Sequence, residues 1–504
     1  MSIGRTRSIS LMGLTGNVVD IEVDIASGLP ALVLIGLPDT SLGEAKDRVR
    51  SAITNSGCAM PPTRVTVNLS PASLPKQGSA FDLGIAMAIL AGTGEVPAES
   101  VAAAIHLGEL ALDGRVRPIA GVLPAVVAAR EAGFTRVVVP AGNRAEAELV
   151  SGITVIPVAS IRHALVAHGA DVDAVDVDVL NAPDASTDTV SERDLADVVG
   201  QPEVVEALIV AAAGGHHVYM LGSPGAGKTM LAERLVDILP DLTPEQSLEV
   251  TSIASLAHVA QTSRLATRPP FESPHHTATA VSIVGGGSGV IRPGALSRAS
   301  RGVLFLDEAP EFSPAVIDAL RQPLESGHIT IHRAHQVAQF PAHVQLVLAA
   351  NPCPCGQAGL SDSDCVCTPD RRRRYRSRLS GPVLDRIDIH LPVRRVARAR
   401  LLDVSEPRVT TSQARARVVT ARATAHERWS GTAPTSQELR AGRFRLAAAV
   451  TAPLDVALDR GAVSMRGYDR ALRIAWTLAD LDGTTTPTLD HVGRAFALRK
   501  GLTA

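Results

Sequence analysis

One octapeptide limits this chain more than any other stretch. Gly222-Ser223-Pro224-Gly225-Ala226-Gly227-Lys228-Thr229 matches the phosphate-loop pattern G-x-x-x-x-G-K-[ST] at every fixed position. The run His217-Val218-Tyr219-Met220-Leu221 before it is strand-like, and Met230-Leu231-Ala232-Glu233-Arg234-Leu235-Val236 after it has helical spacing. In that order, the glycines let backbone N–H groups turn inward around a polyphosphate, and the helix points its positive end at the same anion. Lys228 is expected at the β- and γ-phosphates of ATP, and the Thr229 hydroxyl at Mg²⁺. A glycine-rich turn with a chance lysine is the plain alternative, and it leaves the full match and the flanking pattern unexplained.

The acidic partner of such a loop follows downstream. Val303-Leu304-Phe305-Leu306 is a run for a buried strand, and Asp307 and Glu308 stand at its end. Asp307 is expected to hold Mg²⁺ through water, and Glu308 to polarise the attacking water. Lys228 and Asp307 are farther apart than one strand–helix unit requires. The excess contains Pro274-His275-His276-Thr277 and a glycine-rich run at residues 284–290, read as an inserted loop or, less simply, a second phosphate cradle. Residues 324–333 read as a hairpin. Gln345-Leu346-Val347-Leu348-Ala349-Ala350 is a further strand, ending on the amide Asn351.

With 504 residues and 45% apolar content, the chain has room for about three domains. Its formal charge is −2, so any contact with nucleic acid must come from local clusters. Aromatics make up 3%, which argues against a base-stacking surface. There is neither a signal-peptide pattern at Met1 nor an apolar run of membrane-spanning length, so a cytoplasmic protein without membrane attachment is expected.

Four of the five cysteines, Cys353, Cys355, Cys365 and Cys367, form two C-x-C pairs. Pro354 and Gly356 favour the tight turn that brings such thiolates to one metal. Four thiolates suit a closed tetrahedral Zn²⁺ site, with free thiols or an iron–sulfur centre as alternatives. Six arginines follow between Arg371 and Arg378, available to a DNA backbone, to a neighbouring subunit's nucleotide, or to solvent.

Residues 1–165 read as mixed α/β, with strands at 18–25, 31–36, 64–69, 105–110 and 137–140 and helices at 41–56, 81–90 and 122–132. Lys76-Gln77-Gly78-Ser79-Ala80-Phe81-Asp82 and the run from Gly108 through Pro118 to Val122 resemble the peptidase domain of Lon proteases. That peptidase works with a Ser–Lys dyad. Ala80 stands at the serine's place and Leu123 at the lysine's, so the fold is expected without proteolysis. ATP-dependent cleavage of an unfolded casein-type substrate would contradict this. Residues 170–192, with aspartates alternating with apolar residues, read as a tether.

From residue 195 onward the motif order resembles AAA+ ATPases. The resemblance gives Asn351 the place of sensor 1, Arg386 that of an arginine finger in Leu379-Ser380-Gly381-Pro382-Val383-Leu384-Asp385-Arg386, and Arg466 that of sensor 2. Arg321-Gln322-Pro323-Leu324-Glu325 and Asn351-Pro352-Cys353-Pro354-Cys355-Gly356 are similar to magnesium-chelatase-like members. With the Lon-like part, nearly the whole chain resembles the ComM/YifB family.

That resemblance implies a Lon-peptidase-like (ribosomal S5-like) α/β domain at 1–168, a linker at 169–192, an AAA+ P-loop α/β core at 193–396 with the cysteine insertion at 353–367, and a helical lid at 397–504. It also implies a homo-hexameric, Mg²⁺-dependent ATPase. In the ComM branch this is a helicase for branch migration on single-stranded or branched DNA. The rival reading is a regulatory or chaperone-like protein remodeller.

Overall fold

The computed structural model describes residues 2–36, 40–76, 78–181, 193–257, 263–287, 291–333, 336–358, 365–396, 408–431 and 434–501. Part of the tether, and Ser288, Gly289 and Val290 of the glycine-rich run, lie outside them.

The amino-terminal strands are β1 (Ser2–Met12), β2 (Thr15–Ala26), β3 (Ala31–Ile35), β4 (Arg64–Ser70), β5 (Ile105–His106), β6 (Glu109–Leu110), β7 (Val116–Arg117), β8 (Arg136–Pro140) and β9 (Thr154–Val158). Seven of them form a mixed sheet in the order β3-β4-β2-β1-β5-β8-β9. The helix Asp82–Thr93 lies fully inside this unit. It is apolar all round, which marks a helix covered on every side. Gly4 of β1 lets it approach closely, since a Cβ there would fall 1.9 Å from the Ala88 carbonyl oxygen. The expected strand 105–110 is two short ones. The chain leaves the sheet at Gly108, whose N–H and C=O bond to Ala80 and Leu83 beside the buried helix.

The remaining strands are β10 (Val218–Gly222), β11 (Phe271–Glu272), β12 (Gly285–Gly286), β13 (Arg292–Pro293), β14 (Val303–Leu306), β15 (His328–Arg333), β16 (Gln336–Pro341), β17 (Gln345–Ala350) and β18 (Ile389–Val393). Five form an all-parallel sheet in the order β11-β14-β17-β10-β18. β14 and β17 are buried at every position, as a parallel sheet covered on both faces requires. Because β14, β17 and β10 are neighbours running the same way, their carboxyl ends open side by side, where such sheets bind ligands. β15 pairs with β16 in a hairpin, but not within the expected 324–333: Pro323–Ser326 is a short helix there, begun by Pro323 and ended by Gly327 at φ 71°, and the partner strand lies further on. Within the inserted region β12 pairs with β13.

The carboxyl-terminal helices are Thr411–Arg428, Ser436–Arg440, Ala448–Asp459, Met465–Leu481 and Leu489–Lys500. Trp476, Leu472 and Val418 pack in one continuous apolar core with Leu208, Leu231 and Val347 of the parallel-sheet unit. The amino-terminal unit meets the parallel-sheet unit at the hairpin: Leu11 and Leu14 join Leu256, Ile291, Ala338 and Phe340. Among the described residues no helix is long and apolar enough to cross a membrane.

Candidate active site

The loop from β10 into the helix Lys228–Asp237 is built as its sequence requires. Gly225 and Gly227 take φ of 76° and 91°, a region that suits glycine. A Cβ on Gly222 would lie 2.2 Å from the Val393 carbonyl oxygen, so β18 can pass close by only because a glycine is there. Lys228 is buried, and its ammonium donates to the carbonyls of Gly222 (2.7 Å) and Ser223 (3.1 Å) and to Asn351 Oδ1 (3.0 Å). Burial pushes the Lys228 amine down from its ordinary value, and Asp307 and Glu308 oppose that shift. The Thr229 hydroxyl donates to Asp307 Oδ2 at 3.1 Å. One lysine, one hydroxyl, one amide and one carboxylate, from three adjacent strand ends, thus converge on the mouth of the loop.

Glu308 follows Asp307 with φ 50° and ψ 42°, a left-handed backbone that costs energy in a non-glycine residue. The turn is held by the Glu308 N–H donating to Asp307 Oδ1 at 2.8 Å. It presents Glu308 to solvent beside the loop, where its Oε2 lies 3.3 Å from His276 Nδ1. This contact was not legible in the sequence. The pair His275-His276 stood out there, but nothing in its pattern points to Glu308.

Among the described residues neither Arg386 nor Arg466 is bonded to this loop. Arg386 NH2 and Arg466 NH2 both bond Oε1 of Glu325, at 2.9 and 3.0 Å. Arg386 is largely buried and also donates to the Pro382 carbonyl, while Arg466 is about half exposed. Glu325 was read only as part of a family motif, and its place between the two guanidiniums emerges in three dimensions. Near them Arg470 pairs with the buried Asp388, tying the helix Met465–Leu481 to the residue before β18. Burial opposes ionisation of Asp388, but Arg470 and the neighbouring histidines hold its carboxyl down at about 2.

The four clustered cysteines come together, with all four sulfurs within 4.8 Å of one another. Cys353 Sγ lies 3.3 Å from Cys355 Sγ and 3.6 Å from Cys365 Sγ, and Cys355 and Cys365 are 3.6 Å apart. Zinc–sulfur bonds of about 2.3 Å put tetrahedral sulfurs about 3.8 Å apart, so this donor set fits zinc with small adjustment. The Gln357 backbone N–H and the neighbouring thiols draw the Cys355 thiol down, towards the thiolate that ligates metal.

The arginine run lies on the helix Pro369–Arg376 and just beyond it. Arg372 and Arg376 donate to the Cys367 and Pro352 carbonyls, Arg373 pairs with Asp370, and Arg378 with Glu311. Arg371 and Arg374 are exposed.

In the amino-terminal unit, Leu123 is fully buried and Ala80 lines a cavity of about 360 Å³ between the β1 end, the β6 region and the hairpin strand β16. Ser79, in the same cavity, donates to Glu109. The buried Lys76 amine, which sequence reasoning passed over, donates to the Pro71 carbonyl.

Three family profiles match the chain: magnesium chelatase, subunit ChlI, over residues 194–401; subunit ChlI of Mg-chelatase over 21–143; and the magnesium chelatase subunit ChlI C-terminal profile over 408–499. An uncharacterized Mycobacterium tuberculosis protein is 48% identical, covering 99% of both chains. Competence protein ComM of Haemophilus influenzae is 37% identical over 99% of this chain and 98% of its own. YifB of Escherichia coli is 37% identical over 99% and 97%.

Proposed function

The chain belongs to the ComM/YifB family of magnesium-chelatase-like AAA+ proteins, and from that membership we propose that it is a ring-forming DNA helicase that drives branch migration with ATP. The observation that carries the ATPase part is the convergence of Lys228, Thr229, Asp307 and Asn351 at three neighbouring strand ends. Residues 222–229 cradle the triphosphate. Thr229 and Asp307 hold Mg²⁺, which when bound draws charge from the β- and γ-oxygens. Glu308 takes the proton of the attacking water, and Asn351 orients the phosphate end of Lys228. Cys353, Cys355, Cys365 and Cys367 hold one structural zinc.

Arg386 and Arg466 serve the triphosphate of the next protomer, exchanging the Glu325 carboxylate for phosphate oxygens. Two guanidiniums meeting on one oxygen is the arrangement an anion site needs. A homo-hexamer is the assembly we assign, working on single-stranded or branched DNA in the cytoplasm.

The DNA part is supported by the name of the Haemophilus relative, a competence protein, and by exposed Arg371 and Arg374 on a basic helix. It is tested by the ATPase rate of purified protein with and without forked DNA. DNA should raise the rate several-fold. Replacing Arg371 and Arg374 by alanine should weaken DNA binding and flatten its salt dependence by about two phosphate contacts. A rate indifferent to every DNA form would reject the helicase reading.

One observation favours the rival, a protein remodeller: the cavity between the Lon-like unit and β16. On that reading unfolded protein, and not DNA, stimulates hydrolysis. In either case Ala80 and Leu123 leave the unit without a proteolytic dyad, and peptide release from casein would contradict that.

A further inference from the structure

The cysteine cluster is joined to the nucleotide site at both of its ends. Asn351, which accepts from Lys228, is two residues before Cys353, with only Pro352 between them. The chain then turns back. Gly356 N–H donates to the Cys353 carbonyl at 2.9 Å, closing a turn in which Gly356 has φ 78°. At that turn a Cβ would lie 2.5 Å from Cγ and Cδ of Pro224, the third residue of the phosphate loop. The helix Pro369–Arg376 leaves the second cysteine pair and bonds back to the same strand end. Its Arg372 holds the Cys367 carbonyl, its Arg376 the Pro352 carbonyl, and its buried Tyr375 hydroxyl meets the Asn351 backbone. On the far side Arg395 donates to the Pro224 carbonyl at 2.8 Å, so Pro224 is held between β18 and the cysteine turn.

We propose that a metal bound by Cys353, Cys355, Cys365 and Cys367 locks Asn351 and Pro224 in place and so makes ATP turnover metal-dependent. The proposal rests on the ATPase reading above and adds a control point to it. Among the described residues of the cysteine loop none joins an apolar core cluster. The four thiolates are the cross-link that closes the path from Asn351 to Tyr375. Without the ion, like thiolates repel, the turn at Gly356 loses its anchor, and the amide facing Lys228 loses its fixed position. Binding of the triphosphate depends on the glycine loop and Lys228 and survives, while hydrolysis suffers.

The test uses full-length protein, with zinc measured by elemental analysis. The wild type should hold about one zinc per chain. Cys365→Ser, or wild type stripped by a thiol-reactive mercurial and then reduced, should lose it. Affinity for a non-hydrolysable ATP analogue should change less than about threefold and kcat should drop about tenfold or more, with zinc restoring the stripped wild type. Gly356→Ala should keep its zinc, because no ligand is touched, yet lower kcat about tenfold with analogue affinity changed less than about threefold, by pushing the cysteine turn off Pro224 and with it Asn351.

A metal-free protein with unchanged kcat overturns the proposal, as does Gly356→Ala with zinc and wild-type kinetics. Should metal removal unfold the chain, seen by circular dichroism, the metal holds the fold at large and the proposal is overturned. If the zinc-loaded wild type neither binds nor hydrolyses ATP, it is the ATPase reading that fails.

Discussion

Glu308 stands in the left-handed region because Asp307 turns away towards Thr229 while Glu308 must face the open end of the loop. A strained carboxylate at the end of a buried strand fits a base that meets water, and its roles separate cleanly by substitution. Glu308→Gln should still bind ATP but hydrolyse it about 10²–10⁴-fold more slowly. Lys228→Ala should instead lose nucleotide affinity, since on the proposed reading its ammonium is the charge that meets the phosphates. Equilibrium binding of a fluorescent ATP analogue beside steady-state turnover checks both, and normal turnover by Glu308→Gln would refute the assignment. These residues were legible in the sequence because each lies in a contiguous strand–loop pattern. His276 beside Glu308, and Glu325 between Arg386 and Arg466, were not. Those pairings join distant segments, and no local periodicity encodes them.

Among the elements, β10, β14 and β17 could be read from their continuous apolar runs, and β15 lay within the hairpin expected at 324–333. β1 could not be read. Its inward residues include Thr6, Ser8 and Ser10, all buried, and Gly4 is there for close approach to the helix Asp82–Thr93, so the alternation of apolar residues is broken. Histidines are buried in the same way at element junctions. His106 bonds Thr6 and His168, and His216 bonds Thr477 of the helix Met465–Leu481.

Desolvation lowers His106 to about 3 and His168, His216, His217 and His390 to about 4. Each stays neutral in the fold while the unfolded chain takes up a proton below about pH 6.5. Each therefore withdraws stability as pH falls from 6.5 towards 4. Asp82, raised to about 6 by burial, pulls the other way between about 6 and 3.8, as do the raised Glu146 and Asp237, but with His343 also lowered six histidines outweigh three carboxylates. The melting temperature should thus drop steadily from about pH 6.5 to about pH 4. A flat profile over that interval would show that these histidines are solvated and titrate normally.

In the whole molecule, the chain order of the ATPase motifs was readable, and so was an additional α/β unit before them. What the sequence withheld is how the parts share contacts. The carboxyl-terminal helices contribute to the ATPase core itself, through Trp476 and Leu472, and the amino-terminal unit rests on the hairpin through Leu11 and Leu14. Such interfaces are made of ordinary apolar residues that any helix or strand would bury. The hairpin strand β16 packs on the amino-terminal unit, and the two arginines bond Glu325, three residues before β15. Among the described residues Arg386 and Arg466 bond Glu325 and not the loop at Lys228, so on the proposed reading a neighbouring protomer completes the site.

Subunit mixing tests that incompleteness most directly. Lys228→Ala protomers keep the arginines but lack a working cradle, and Arg386→Ala protomers keep the cradle but lack the finger. Each alone should be inactive. Mixed in equal amounts, about a quarter of the interfaces in a head-to-tail ring regain both halves, and the ATPase rate should recover to about that fraction of wild type. A mixture as inactive as its components, with both variants folded and co-assembled, would contradict the sharing of each triphosphate between neighbours.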